Sequence, residues 1–184
     1  MASSLSEARP LRPATIWSAW RLALPPITVF FSPRGGCTDA ITAELGHATN
    51  SVLVQAYSFT SVPIAKALVD AHKRGVKIEV VLDKSQRTEK YSSATFVFNA
   101  GIPTFIDASH AIAHNKIIII DRATVITGSF NFSKAAEESN AKNLLVIHDR
   151  ALAVGPPTRP TPPPTFTMGG NGKCAFRWGG TPTP

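Results

Sequence analysis

Strand-like runs alternate with helix-like segments from Ile27 to Asp83, and this alternation limits the folds open to the chain more than any other feature. The apolar runs are ITVFF, SVLVQAYS and VKIEVVLD. Two segments with apolar residues at helical spacing separate them, TDAITAELGHA and SVPIAKALVDAHKRG. Strand and helix in alternation predict an α/β fold built on a mixed, mainly parallel β-sheet flanked by helices.

Local signals predict where these two helices begin and end. Thr38 is the expected N-cap of the first helix and Ser61 of the second, since their hydroxyl groups can accept hydrogen bonds from free N–H groups. Pro63 fits the first turn of the second helix, and Gly75 suits its end. The later segments predict a short helix, three strands, a helix and a last strand: YSSATFVFNAG, IPTFID, HNKIIII, TVITGS, NFSKAAEESN and NLLVIHD.

Composition divides the chain into three parts. Residues 27–150 carry the alternating pattern and have the length of one ordinary domain. Residues 1–26 form an extension that we expect to be loosely ordered. Residues 151–184 contain six prolines between positions 156 and 164 and five glycines between 169 and 180. Because proline removes hydrogen-bond donors and few apolar residues remain, this tail is predicted to be mostly disordered.

The apolar segment ATIWSAWRLALPP in the extension is interrupted by Arg21 and ended by Pro25 and Pro26. A secretory signal needs an unbroken apolar stretch of about 7–15 residues and a small-residue cleavage site. A membrane span needs about 20 apolar residues. The sequence therefore predicts no transmembrane segment, and it favours a cytoplasmic location over a periplasmic one.

The charge of the chain does not identify its partner. Of the formal net charge of +7, residues 27–150 contribute only +2, from 13 basic and 11 acidic residues. The excess that would suggest nucleic acid binding therefore lies mostly in the flanks. Cys37 and Cys174 are far apart and lack the spacing of a zinc site. They predict neither a disulfide framework nor a cysteine-based metal site.

The segment HNKIIIIDRATVITGSFN, residues 114–131, places polar groups around a strongly apolar run. In a strand, His114 and Lys116 point to the same face, about 7 Å apart. A tight turn near Asp121 would return the chain alongside this strand. A two-residue loop sets Ser129 opposite His114, whereas a three-residue loop turns Ser129 away. A site that combines these two side chains in this way requires the two-residue loop.

An imidazole, an ammonium, a hydroxyl and an amide together suit chemistry at a phosphodiester. The His114 imidazole can attack phosphorus and form a covalent phosphohistidine. Lys116 and Asn131 can donate hydrogen bonds to the non-bridging oxygens as charge develops there, which needs neither a metal ion nor another cofactor. A neutral attacking imidazole cannot also protonate the leaving oxygen, so a second histidine is required.

Six residues follow the pattern HxK(x4)D(x6)GSxN and resemble the signature of the phospholipase D superfamily: His114, Lys116, Asp121, Gly128, Ser129 and Asn131. The similarity extends from about residue 27 to residue 149 and includes AYSFT, IAKALVDAHKRGVKIEVVLD, GIP and GSFNFSKAAE. The chain most resembles the small single-motif bacterial endonucleases of that superfamily. It resembles the single-motif mitochondrial cardiolipin hydrolases more distantly.

This resemblance implies a phospholipase D-like fold and a metal-independent phosphodiester hydrolase that forms a phosphohistidine. It assigns catalysis to His114, Lys116, Ser129 and Asn131. Because the HxK motif occurs once, it implies a homodimer in which two copies of His114 meet at a two-fold axis. The implied substrate is nucleic acid, with DNA favoured, and a phospholipid head group is the alternative.

The motif residues also have structural interpretations. His114 and Lys116 can be solvated residues at a strand end, and Ser129 and Asn131 can be turn and cap residues. Asp121 and Gly128 are interpreted as structural, and Asp121 lies about 20 Å along the strand from His114. His110 is close enough in sequence to line the mouth of the site, whereas His47, His72 and His148 receive no role.

Two features depart from the related endonucleases. The resemblance places a glutamate that orients the imidazole in an Asn-x-Glu-Asn pattern, where this chain has Lys142 in NAKN. An ammonium there disfavours the protonated imidazole, and Glu137 and Glu138 are out of register. Relatives also continue into a helix that packs on the sheet, where this chain has GPPTRPTPPP. The first departure leaves open a catalytically impaired protein that binds phosphate or nucleic acid, and the second predicts uncovered apolar sheet surface.

Overall fold

The computed structural model describes residues 25–154, 165–168 and 174–177. In the first of these ranges, the strands and helices follow the predicted order up to the last strand, with a 3₁₀ turn at Lys84–Arg87. A further helix at Arg150–Val154 was not predicted, and four of its residues belong to the tail that we expected to be mostly disordered. The strands are β1 (Ile27–Ser32), β2 (Ser51–Ala56), β3 (Lys77–Asp83), β4 (Thr104–Asp107), β5 (Lys116–Ile120), β6 (Thr124–Gly128) and β7 (Lys142–His148). The helices are α1 (Cys37–His47), α2 (Val62–Lys73), α3 (Ala94–Asn99), α4 (Lys134–Glu138) and α5 (Arg150–Val154).

These strands form one mixed sheet in the order β1-β7-β6-β5-β2-β3-β4. The α/β fold with a mixed sheet and flanking helices is therefore confirmed. The pairing, however, is not mainly parallel as predicted. Only β2–β3 and β3–β4 pair in parallel, while the four ladders from β2 through β5, β6 and β7 to β1 are antiparallel. The reason is the tight turn between β5 and β6, since a short connection can join only antiparallel neighbours.

One face of the sheet carries the main hydrophobic core. The strands alternate their side chains, so β2 directs Val52, Val54 and Ala56 to this face. α2 meets them with Ile64 and Leu68, which are one helical turn apart and inaccessible to solvent. Burial of each such large aliphatic side chain contributes about 1.5–3 kcal/mol to folding. α1, α3 and α4 contribute further buried side chains to the same core.

The opposite face is only partly covered in the part of the chain that the structure describes. α5 packs against β6 and contributes Ala153 to a small buried cluster. The edge strand β1 leaves Ile27, Val29 and Phe31 exposed by 54%, 46% and 67%. We call these three side chains the β1 apolar face. A helix does follow the last strand, contrary to the expectation, but α5 is short and leaves the β1 apolar face exposed.

The predicted helix boundaries hold, but one predicted cap is wrong. Gly36, not Thr38, occupies the N-cap position of α1, with a left-handed φ of 78°. The Glu137 carboxylate accepts hydrogen bonds from the backbone N–H groups of Gly36 (3.2 Å) and Thr38 (2.7 Å). A side chain from 99 residues further along the chain thus does the work expected of the local hydroxyl. Ser61 occupies the predicted N-cap position of α2, although its hydroxyl makes no capping hydrogen bond.

The predicted two-residue loop between β5 and β6 is also wrong. Ile118 pairs with Ile126 and Ile120 with Thr124, so three residues, Asp121 to Ala123, form the loop. Both the N–H and the carboxylate of Asp121 bond to the segment before β2, with its N–H donating to the Ser51 carbonyl at 2.8 Å. This anchoring holds the extra residue in the loop and shifts the register by one.

The structure describes the two terminal regions only in part. Residues 1–24, which include most of the predicted loosely ordered extension, lie outside the described residues. Within the tail, Thr165–Met168 and Cys174–Arg177 pair as two antiparallel strands, which departs from the predicted disorder in those eight residues. The rest of the tail beyond residue 154 lies outside the described residues. Among the described residues, no helix has both the length and the apolar character needed to cross a bilayer.

Candidate active site at one edge of the sheet

The predicted site residues lie at one edge of the sheet because of the strand directions. Strands β1, β2, β3, β4 and β6 end at this edge, whereas β5 and β7 begin there. Lys116 and Lys142 are the first residues of β5 and β7. Tyr57 and Ser129 directly follow β2 and β6, and His114 lies two residues before β5. Residues from four separate strand ends therefore meet at this edge.

Tyr57 joins His114 and Lys116 into a compact group. Its ring meets the His114 imidazole edge-on, with centroids 4.5 Å apart and an interplanar angle of 65°. The Lys116 Nζ lies 5.2 Å from the centroid of the same ring and donates a hydrogen bond of 3.1 Å to the His114 carbonyl oxygen. Sequence analysis assigned Tyr57 no role. Its position at the end of a buried strand, followed by the polar residue Ser58, was the only available signal.

Lys116 is a buried cation without a carboxylate partner among the described residues. Its side chain is 7% exposed, and no acidic group of the described chain lies within salt-bridge distance. Burial lowers the pKa of Lys116, and the positive charge of Lys142 lowers it further. Two ammonium groups close together in a partly desolvated position form a site that favours an anion.

Ser129 does not reach the site in the predicted way. The three-residue loop places it out of register with His114, and its hydroxyl instead bonds to β7. The Ser129 Oγ donates to Asn143 Oδ1 at 2.6 Å and accepts from the Asn143 N–H at 3.0 Å. The Ser129 N–H donates to the same Oδ1 at 3.1 Å. Ser129 therefore ties the end of β6 to the start of β7, directly beside Lys142.

Asn131 has an unusual environment. Its Oδ1 is buried and has no hydrogen-bond partner among the described residues. The interpretation of Asn131 as the cap of α4 is not what the structure has, because the Ser133 hydroxyl occupies that role and accepts from the Ala136 N–H at 3.2 Å. A buried side-chain oxygen without a partner is costly, and as an acceptor it cannot itself bond to a phosphate oxygen.

Asp121 and Gly128 lie in structural positions. The Asp121 carboxylate accepts four hydrogen bonds of 2.7–2.9 Å from the N–H groups of residues 49–51 and the Thr49 hydroxyl, at the edge opposite His114. Gly128 has a φ of 141°, and a Cβ there would overlap the carbonyl oxygen of Asn143. Both residues fix the β5–β6–β7 ladder that carries the polar edge.

No glutamate of α4 can take the orienting role that Lys142 leaves vacant. Both carboxylate oxygens of Glu137 are bound to the start of α1, as described above. Glu138 lies 3.7 Å from the Lys134 ammonium on the exposed side of α4. The positive charge of Lys142 is instead close enough to Lys116 to shift its pKa. The charges next to Lys116 at this edge are therefore positive.

The loop before His114 is held by two strand-end carboxylates, which sequence analysis did not identify. The buried Asp83 accepts a hydrogen bond of 2.7 Å from the Ala113 N–H. Asp107 pairs with Asp83 across the β3–β4 ladder. Its Oδ2 lies 2.8 Å from Nδ1 of His110. Asp107 therefore orients the His110 ring, and a role for His110 at the mouth of the site stays a prediction. The remaining described histidines, His47, His72 and His148, lie at the ends of elements that run from this edge to the opposite one.

Comparison with known proteins places this geometry in a family. Residues 41–154 match the family described as "Cardiolipin synthase, PLD-like domain". The phospholipase D of Rickettsia felis is 44% identical over 127 residues, which cover 69% of this chain and 64% of the relative. The mitochondrial cardiolipin hydrolase of Xenopus laevis is 29% identical over 61% of this chain and 53% of its own length. The chain thus spans less than two thirds of these relatives.

Solved structures agree with this placement. Nuc from Salmonella typhimurium, a phospholipase D family member, is 42% identical and superposes with a TM-score of 0.67 over 70% of this chain and 87% of its own. NucT from Helicobacter pylori is 25% identical with a TM-score of 0.65 over 70% of this chain and 88% of its own. The family match spans more than half of the chain and includes the polar edge around His114. The chain therefore belongs to the phospholipase D-like family.

Proposed function

We propose that this chain is a phosphodiesterase that acts on nucleic acid through a phosphohistidine at His114, without a metal ion. The observation that carries the proposal is the buried, uncompensated ammonium of Lys116 next to the exposed His114 imidazole, with Tyr57 packed against both. A phosphodiester would supply the negatively charged partner that the Lys116 ammonium lacks among the described residues. Family membership supports the reaction class.

The proposed reaction has two displacement steps. One imidazole nitrogen of His114 forms a bond to phosphorus while the bond to the leaving oxygen breaks, and a second, protonated imidazole gives that oxygen its proton. The second imidazole then takes a proton from water, the oxygen of which attacks phosphorus. The phosphorus–nitrogen bond breaks, and His114 is restored. Lys116 stabilises the non-bridging oxygens in both steps.

The second imidazole is proposed to be His114 of another copy of the chain. The β1 apolar face supports such a dimer because it is continuous with the site: Phe31 pairs with Asn143, which holds Ser129. A copy seated there across a two-fold axis would bring its own polar edge next to this one. His110 is the alternative donor, since it is the second described histidine at the site edge and Asp107 orients it.

Two other functions have specific support. A phospholipid head group is the alternative substrate because the curated relatives carry the names phospholipase D and mitochondrial cardiolipin hydrolase. A catalytically impaired phosphate binder is supported by the position of Lys142 and by the engagement of Glu137 elsewhere. Neither Lys142 nor Glu137 therefore offers the His114 imidazole the carboxylate that the resemblance places beside it.

Incubation of the purified chain in EDTA with plasmid DNA and, separately, with labelled phospholipid vesicles tests the proposal. Plasmid cleavage that His114→Ala reduces about 10³-fold or more supports it. His47→Ala is the matched control, because His47 is exposed at the far end of α1 and should leave cleavage unchanged. Acid-quenched trapping should place phosphate on His114. Vesicle hydrolysis without DNA cleavage would instead favour the lipid function, and binding without any turnover would favour the impaired binder.

A further inference from the structure

An open cavity of about 780 Å³ lies beside the candidate site and contains none of its residues. Tyr91, Phe96 and Val62 form its apolar walls, and Thr60, Lys134 and Ser139 are among its polar ones. We call it the aromatic groove. Neither the sequence motif nor the proposed reaction uses these residues.

The aromatic groove continues directly from the site along both of its walls. Thr60 is three residues after Tyr57, and Lys134 is three residues after Asn131. The two walls are joined, since the N–H groups of Thr60 and Ser61 both donate to the Phe132 carbonyl at 2.9 Å. Three residues span at most about 10 Å, so Thr60 and Lys134 lie within that backbone distance of Tyr57 and Asn131.

The lining of the groove combines aromatic faces with hydroxyl groups. Tyr91 is 71% exposed and Phe96 is 51% exposed, so both rings are accessible to a ligand. The hydroxyl-bearing residues Thr60, Ser92, Ser93 and Ser139 surround them. A nucleobase presents a flat π-face that can stack on these rings and hydrogen-bonding edges that can meet these hydroxyls. The Lys90 ammonium, 5.3 Å from the Tyr91 ring centroid, adds a cation next to the same platform.

We propose that the aromatic groove binds an unpaired nucleobase adjacent to the scissile phosphate, by stacking on Tyr91 and Phe96. This inference rests on the proposed function and specifies its substrate as single-stranded nucleic acid. Bases of a duplex are stacked inside it and would have to be unpaired and extruded before one could enter the groove. The chain should therefore prefer single strands to duplexes of the same sequence.

The test compares binding of two oligonucleotides to the full chain by fluorescence anisotropy, which does not depend on turnover. One is a single-stranded 12-mer, and the other has the same phosphate backbone but abasic sites throughout. We expect the wild type to bind the base-containing strand at least about fivefold more tightly. Tyr91→Ala and Phe96→Ala should each reduce this preference, and together they should abolish it.

Phe98→Ala is the matched control. Phe98 is on the same helix and is 62% exposed, but it lines a different cavity with Arg87 and Thr104. It should leave the preference for bases unchanged. Equal binding of both strands by the wild type would overturn the inference, as would an equal loss of preference in Phe98→Ala and Phe96→Ala.

Two further measurements separate this inference from the proposed function. Turnover of a small phosphodiester without bases, bis(4-nitrophenyl) phosphate, depends on His114 but not on the groove, so Tyr91→Ala and Phe96→Ala should retain it. Turnover without base preference refutes the groove assignment alone, and base preference without turnover refutes the enzymatic function alone. If the groove variants lose hydrolysis of phosphatidylglycerol vesicles but not base preference, an acyl chain is the occupant and the inference fails.

Discussion

At the scale of single residues, the charge next to His114 decides how well the site can turn over. Lys116 must be protonated to stabilise phosphate oxygens, and both burial and Lys142 lower its pKa. As pH rises through that lowered pKa, Lys116 loses its charge and rate enhancement is lost. The replacement of the expected glutamate by Lys142 therefore brings the alkaline loss of activity to lower pH.

Lys142→Glu should raise the rate and move this alkaline decline to higher pH. The carboxylate removes the repulsion on Lys116, stabilises its ammonium, and provides a partner for the protonated imidazole. The measurement is the pH dependence of phosphodiester hydrolysis between neutral pH and the alkaline range. Lys142→Gln is the control: it removes the repulsion without adding a carboxylate, so it should shift the decline by less. An unchanged profile in both variants would show that Lys142 does not act on the site.

The motif spacing could predict which residues carry chemistry, but not their contacts. His114 and Lys116 are two residues apart, and their proximity follows from local geometry alone. Glu137 bonding Thr38 and Tyr57 packing on His114 connect residues 99 and 57 positions apart. Contacts of this kind depend on the finished sheet order, to which a single sequence gives no direct access.

At the scale of elements, the β5–β6 turn fixes the register of the polar edge. The alternation of apolar residues placed both strands correctly, but it could not count the loop. The loop length depends on Asp121, which bonds the segment before β2 some 70 residues away in the chain. The assignment of Ser129 opposite His114 failed for this reason, since one residue reverses the face of every side chain that follows.

Asp121→Ala should destabilise the fold by about 2 kcal/mol, because it removes a charged acceptor from several hydrogen bonds. Burial alone would raise the pKa of Asp121, but the N–H groups of Ser51, Thr49 and Asn50 outweigh it and lower that pKa. The folded-state pKa is thus below the unfolded value, so the stabilisation is present above about pH 4 and is lost as pH falls below it.

Urea unfolding from pH 3 to pH 7 checks this prediction. The difference in unfolding free energy between wild type and Asp121→Ala should be largest near neutral pH and shrink in acid. Asp70→Ala, at an exposed position on α2, should change stability little at any pH. A difference that stays constant down to pH 3 would contradict the role given to the carboxylate.

Gly128→Ala should destabilise the fold by about 3 kcal/mol and displace Ser129 from Asn143. The φ of 141° is strained for any residue with a Cβ, and that Cβ would overlap the Asn143 carbonyl. Gly46→Ala is the control, because a Cβ there meets nothing within 4 Å and Gly46 lies within α1. It should stabilise the chain by up to about 1 kcal/mol. Thermal unfolding of both variants measures the contrast.

At the scale of the whole molecule, the two faces of the sheet differ in a way that bears on assembly. Helices α1 to α4 bury one face, whereas α5 covers only part of the other in the described chain. The sequence predicted this uncovered surface from the loss of the packing helix. It could not predict that the exposed residues lie on the edge strand β1, because β1 joins the sheet by pairing with β7, the last strand of the domain.

The proposed shared active site makes a quantitative prediction for mixed assemblies. If wild-type and His114→Ala chains are unfolded together in equal amounts and refolded, random pairing leaves about a quarter of the maximal activity, since only wild-type pairs hold two His114 imidazoles. Protomers that work alone, with His110 as the acid, would retain about half of the maximal activity.

Val29→Asp should reduce dimer formation in sedimentation and lower activity, because it places a charge in the β1 apolar face away from His114. Phe98→Asp, at a more exposed position outside that face, should do neither. A fully active species that sediments as a monomer would rule out the shared site and leave His110 as the second imidazole.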